Sequence, residues 1–285
     1  MTGVSRAAKD EAESGVPRRI VITGASSGIG LAAAVMLARH GEEVVLVGRD
    51  PHRLAAAVDQ VRDNAAVRPA AFRADFAILD DVRRLAEDLR GAYDRIDVLV
   101  NNAGAIVLRP TRSVDGFELT MQTNHLAPFL LSNLLRDRVG RIVTTASTAH
   151  RFGSLDPDDL SRHLRDYRAF PAYGTSKQAT VLFAAEAARR WPDIVSVSYH
   201  PGFVRTRFAG DNQLVAFGMR IAPFLRSPAQ GADTLVWLAS QRSDAIVNGG
   251  YYVRRRPRRP HPKATDPALA RRLWEASERA VGLTG

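Results

Sequence analysis

Two groups of residues in this 285-residue chain have the types and spacing for chemistry: Tyr173 with Lys177, and the run Thr23-Gly24-Ala25-Ser26-Ser27-Gly28-Ile29-Gly30. Side chains four apart on a helix leave the same face, so phenol and ammonium would meet. A free tyrosine titrates near about 10 and is a poor acid or base at neutral pH. A neighbouring cation favours the phenolate and lowers that value, which suits proton exchange with an alcohol or carbonyl oxygen. The glycine run follows an apolar segment and opens a helical pattern. A helix N-terminus offers unpaired N–H groups to an anion. Side chains at Gly24, Gly28 or Gly30 would obstruct the turn, the phosphate or the helix–strand contact, so the run predicts a dinucleotide pyrophosphate site. The second apolar segment ends in Val47-Gly48-Arg49-Asp50. An acid at that place binds the ribose hydroxyl of NAD, whereas Arg49 suits the 2′-phosphate of NADP. NADP is the expected cofactor and NAD the lesser one, with Asp50 speaking for it.

The elements that must position these groups follow from periodicity. Strands are expected at Arg18–Thr23, Glu43–Val47, Pro69–Ala74, Val98–Asn101, Arg141–Ala146, Ile194–Tyr199 and Ile246–Val253. Helical patterns at Ile29–His40, Pro51–Asp63, Ile78–Arg90, Val114–Arg136, Tyr173–Trp191, Pro228–Ser240 and Pro267–Val281 alternate with them. Alternation of this kind predicts an α/β fold, a doubly wound, Rossmann-type parallel sheet with helices on both faces. One domain over 18–285 follows a loose tail at 1–17. The segments Arg151–Ala172 and Arg205–Ser227 fall outside the rhythm, and the second, apolar and lid-like (about 205–227), would shape a pocket for an apolar substrate.

Composition excludes other classes. There is no cysteine, and the seven histidines form no ligand-spaced cluster, so neither disulfides nor a metal is expected. The net charge of +10 is spread along the chain except at Arg254–Arg259, read as a solvated loop, so nucleic acid is not an expected partner. Lys9, Lys177 and Lys263 are the only lysines among the 40 basic residues, a bias that fits a GC-rich bacterial genome. No signal peptide or membrane span of about 18 apolar residues is evident, and a cytoplasmic protein is expected.

The chain resembles the short-chain dehydrogenase/reductase family. Thr23 to Gly30 matches its T-G-x-x-x-G-x-G form, Asn101-Asn102-Ala103-Gly104 its N-N-A-G, and Pro201-Gly202-Phe203-Val204-Arg205-Thr206 its P-G-x-V-x-T. Asn124, Ser147, Tyr173 and Lys177 match its catalytic four, and Asp75-Phe76 falls where the family contacts adenine. Ala149-His150-Arg151-Phe152-Gly153, Val181-Leu182-Phe183 and Ala270-Arg271-Arg272-Leu273-Trp274 are similar to the retinol-dehydrogenase-like branch.

The resemblance implies hydride transfer between a nicotinamide and a carbonyl or alcohol carbon of a small substrate. Tyr173 would be the acid/base and Ser147 the partner of the substrate oxygen, with Thr148 as the adjacent alternative. Lys177 would hold the ribose, and Asn124 a relay water. Ser26, Ser27, Gly28 and Ile29 would lie on the phosphates, and Asn102, Ala103, Gly104, Pro201, Gly202, Val204 and Thr206 along the cofactor. A homodimer or homotetramer is implied. A non-catalytic NADP sensor, and C=C reduction or epimerisation on the same scaffold, are the alternatives. His125 and His150 are read as packed or solvated.

Overall fold

A computed structural model describes residues 17–161, 164–204 and 225–283. The expected tail apart from Pro17, the lid-like stretch apart from 225–227, and Thr206 lie outside those residues. The strands are β1 (Arg19–Thr23), β2 (Glu43–Gly48), β3 (Ala70–Arg73), β4 (Ile96–Asn101), β5 (Val139–Thr145), β6 (Val195–His200), β7 (Tyr251–Val253) and β8 (Arg256–Arg258). They form one sheet in the order β3-β2-β1-β4-β5-β6-β7-β8, parallel except for the antiparallel β8. The central strand β1 is buried on both faces, as its apolar Ile20-Val21-Ile22 requires. Helices α1 (Gly28–Arg39), α2 (Pro51–Arg62) and α6 (Pro228–Ser240) pack one core, with Ile20, Ile22 and Leu46 from the sheet. Helices α3 (Leu79–Ala92), α4 (Ala127–Leu134), α5 (Ala169–Arg190) and α7 (Pro267–Ala280) pack the other, with Val21, Leu99 and Ile142. The chain reverses its winding between β1 and β4, and the carboxyl ends of the strands at such a switch point are where open α/β sheets bind ligands.

Four expectations change. The helix foreseen over Val114–Arg136 does not begin until Leu119, because the Glu118 carboxylate accepts from the Thr120 and Met121 N–H groups, both at 2.8 Å. It then passes through a π-helical turn, Gln122–Leu126, before α4. The helix foreseen from Tyr173 begins one turn earlier, at Ala169. The last strand shrinks to Tyr251–Val253, since Gly249 turns the chain at φ 77°. The arginine run is not a loop throughout: Arg254 and Arg255, at φ 52° and 61°, form a hairpin turn into β8. Pro257 and the exposed arginines of β8 leave a poor template for further strand pairing.

Helix α7 is anchored by Trp274, 3% exposed. Its ring meets Phe129 edge-on at 4.9 Å and Trp191 at 5.0 Å, and stacks on Phe183 at 5.8 Å. Among the described residues no helix is long and apolar enough to cross a membrane. Trp274→Ala should cost about 3–5 kcal/mol in urea unfolding; a loss below about 1 kcal/mol would show that α7 is not held by this cluster.

Candidate active site

The glycine loop and the β4 loop are tied through one hydroxyl. Thr23 Oγ1 donates to the Val100 carbonyl at 3.1 Å and accepts from the Asn102 and Ala103 N–H groups, both at 3.0 Å. The Asn102 side-chain amide donates to the Thr23 carbonyl at 2.9 Å. This brace leaves no room for side chains: a Cβ at Gly24 would lie 2.9 Å from the Ala103 Cα, and one at Gly30 only 2.4 Å from the Gly24 carbonyl oxygen. Gly24 and Gly28 also take φ of 66° and 57°, which favour glycine. Ser27 stands at the N-cap of α1 without a side-chain cap hydrogen bond, and the first turn holds no acid. The leading N–H groups of α1, with no intrahelical acceptor, therefore suit an anion, and the cradle fits a dinucleotide pyrophosphate.

Arg49 and Asp50 divide their roles at the end of β2. Asp50 caps α2, accepting from the Arg53 N–H at 2.8 Å, and this bond holds its carboxyl below the usual range. The Arg49 side chain is 65% exposed, with a long ion pair to Asp75 at 3.8 Å. Asp75 also accepts from the Ala77 N–H, while the Phe76 side chain turns into the core. After β6, Gly202 takes φ 90° beneath the Arg226 side chain, and Val204 pairs with Arg226 in an isolated bridge.

The four candidate side chains converge at the carboxyl ends of β4 and β5. Ser147 follows β5 and caps a 3₁₀ turn, Thr148–Phe152. Its hydroxyl shares a hydrogen bond with that of Tyr173. Lys177, buried at 3% exposure, donates to the Thr145 carbonyl at 2.8 Å, its Nζ 5.7 Å from the centre of the Tyr173 ring. Asn124 lies in the π-helical turn, a feature common at functional sites. Its amide binds the Ala105 backbone in both directions, at 2.8 and 2.9 Å, and donates to Ser176 Oγ at 2.9 Å. Gly104 fits beneath this clamp because a Cβ there would be 2.9 Å from Asn124 Oδ1.

Burial governs the electrostatics. It pushes Tyr173 up to about 12, the Ser147 hydrogen bond opposing it, and drives Lys177 down to about 7. Among the protein's own groups, burial sets the direction of the Tyr173 shift. A desolvated lysine carries its charge less readily, and here its amine is turned to a carbonyl.

Sequence reasoning gave no part in the site to the Thr23 hydroxyl and did not single out Ser176. Thr23 and Ser176 act through small hydroxyls, which carry no periodic signal. His125 packs on Phe129 and Phe183, bonds Ser277 Oγ at 2.8 Å and is pushed down to about 3. His150 is also buried, but its Nδ1 lies 2.6 Å from the Ser147 carbonyl.

The family model described as short chain dehydrogenase matches residues 18–214. A protein of Streptomyces sp. (strain C5) named "Putative daunorubicin C-13 ketoreductase DnrU" is 53% identical over 273 residues, covering 95% of each chain. Retinol dehydrogenase 13 of Homo sapiens is 35% identical over 281 residues, covering 93% of this chain and 85% of its own. Among solved structures, a protein of Mycobacterium paratuberculosis described as uncharacterized superposes with a TM-score of 0.76 at 32% identity, covering 99% of this chain and 98% of its own. A short-chain dehydrogenase from Sphingobium yanoikuyae in complex with NADPH gives 0.62 at 25% identity, covering 78% and 83%.

Two outcomes follow. Gly30→Ala, with its Cβ forced on the Gly24 carbonyl, should weaken dinucleotide binding at least about tenfold in a fluorescence titration; unchanged affinity would contradict the cradle. Lys177 titrates lower when folded, so the unfolded chain binds the extra proton between about 7 and 10.5. Stability relative to Lys177→Met should therefore rise with pH across that window and stay level below it; a difference independent of pH would refute the buried amine.

Proposed function

The chain belongs to the short-chain dehydrogenase family of nicotinamide-dependent oxidoreductases acting on CH–OH or C=O groups, and from that premise we propose an NADP(H)-dependent carbonyl reductase with Tyr173 as the proton donor. The observation that carries this reading is the Ser147–Tyr173 hydroxyl pair, with Lys177 buried beside it. The loop from Gly24 to Gly30 would hold the pyrophosphate, with Arg49 on the 2′-phosphate and Asp75 and the Phe76 backbone at the adenine. Asn102 to Gly104 and Pro201 to Val204 would line the nicotinamide half, and Lys177 would grip its ribose. NADPH, when bound, supplies the hydride.

Ser147 would donate a hydrogen bond to the substrate carbonyl oxygen and stabilise the charge that develops there. Tyr173 would pass its proton to the same oxygen. The ketoreductase name of the Streptomyces relative supports reduction as the working direction, in which the protonated phenol is the donor. Asn124 would hold the loop at Gly104 and Ala105 against the helix carrying Lys177.

An apolar substrate is supported by the exposed aromatic rings around the site. Phe152 ends the turn that Ser147 begins, and Phe170 lies three residues before Tyr173. Their rings are 5.5 Å apart and 63% and 51% exposed. Phe203, 68% exposed, lies on the loop after β6.

The test is NADPH oxidation with a panel of apolar ketones and aldehydes. Tyr173→Phe should lower kcat by about 10²–10⁴-fold with NADPH binding retained; near wild-type turnover would overturn the acid role. Arg49→Ala should lower the NADPH-over-NADH ratio in kcat/KM by about tenfold or more; an unchanged ratio would remove Arg49 from 2′-phosphate recognition.

A further inference from the structure

We infer that the C-terminal strap His261–Lys263 is a positioning device that, through His150 and Gln178, fixes the Ser147 hydroxyl relative to Tyr173. This rests on the roles proposed above for those two residues. The strap follows β8 and lies across the two elements that carry them.

His150 connects the strap to the serine. Its Nδ1 lies 2.6 Å from the Ser147 carbonyl oxygen, and its Nε2 lies 3.0 Å from the His261 backbone N. A carbonyl only accepts and a backbone N–H only donates. The pair of contacts therefore requires neutral imidazole with the proton on Nδ1, donating to Ser147 and accepting from His261. The ring is 2% exposed and meets the Tyr251 ring edge-on at 5.2 Å, so it has little freedom to turn. Burial also holds its pKa down, consistent with the neutral form.

Gln178 connects the strap to the helix. It follows Lys177 and is 2% exposed. Its amide donates to the Lys263 carbonyl at 2.8 Å and accepts from the Leu155 N–H at 3.1 Å. The turn and helix meet with no spare volume. A Cβ at Gly174 would lie 2.8 Å from the Ala149 carbonyl, and one at Gly153 would lie 2.5 Å from Gln178 Oε1. The strap itself is stiff: Pro260 and Pro262 flank His261, whose φ is −62° and whose Nδ1 accepts from the Lys263 N–H at 3.3 Å. Hydrogen bonds thus tie the strap both to the turn that carries Ser147 and to the helix that carries Tyr173. In a site of this kind a misplacement of about 1 Å costs on the order of 10²-fold in rate, so the orientation of the Ser147 peptide matters.

Full-length variants separate the bonds. His150→Ala should lower kcat about tenfold or more while NADPH affinity stays within about twofold. His150→Asn, which places a donor near the Nδ1 position, should recover kcat to within about threefold of wild type. His261→Pro removes the backbone donor at a φ that proline accepts, whereas His261→Ala keeps that donor and loses only the side chain. The proline variant should fall below the alanine variant in kcat, with KM for NADPH equal. The inference is overturned if folded His150→Asn is as slow as His150→Ala, or if the two His261 variants turn over alike. Ser147→Ala keeps the two failures apart. If it retains wild-type turnover, the proposed site is wrong. If it is inactive while His150→Ala turns over normally, only the strap inference falls.

Discussion

A lysine held out of water at the carboxyl end of the sheet sets the terms for the rest of this structure. Lys177 is buried at 3% exposure, and burying an amine demands a partner, which the Thr145 carbonyl supplies at 2.8 Å. The backbone near it is glycine: a Cβ on Gly104 would stand 3.6 Å from Nζ and closer still to Asn124. The enclosure that desolvates Lys177 also keeps the Tyr173 phenol protonated. A tyrosine in such a site is prepared to give up a proton only as an oxygen beside it gains negative charge. That is the behaviour the proposed reduction needs.

The sheet provides this enclosure by its winding. With β1 and β4 adjacent and their helices on opposite faces, the loops after these strands leave the sheet toward different layers. Thr23 then draws the two loop backbones together. The glycines are consequences of that closeness as much as of any phosphate. The same economy appears between the Ser147 turn and α5, where Gly153 and Gly174 allow near contact of backbones and place two hydroxyls from separate elements within hydrogen-bonding distance.

Much of this was legible in the residues. Period and apolar runs located the central strands within a residue or two, and the Tyr173–Lys177 spacing placed both on one helix, as found. Failures occurred where a side chain overrode the local pattern. Glu118 capped a helix that periodicity began at Val114, and Asn124 sits in a π turn that no apolar spacing announces. Arg254 and Arg255 adopt positive φ, which their residue type disfavours, so the final hairpin was invisible. The direction of the Tyr173 shift depended on burial, which spacing alone does not reveal. The sequence reads His150 only as packed or solvated for a related reason: its partners are the backbone of Ser147 and of a residue over a hundred positions away.

The most direct measurement of the central claim is a pair of isotope effects on the single-turnover rate of carbonyl reduction, one from NADPH deuterated at the transferred position and one from heavy water. If Tyr173 delivers its proton as the hydride crosses, both effects exceed unity in the wild type, and the solvent effect disappears in the residual reaction of Tyr173→Phe. A wild-type solvent effect of unity beside a full hydride effect, or one that persists unchanged without the phenol, would contradict the account.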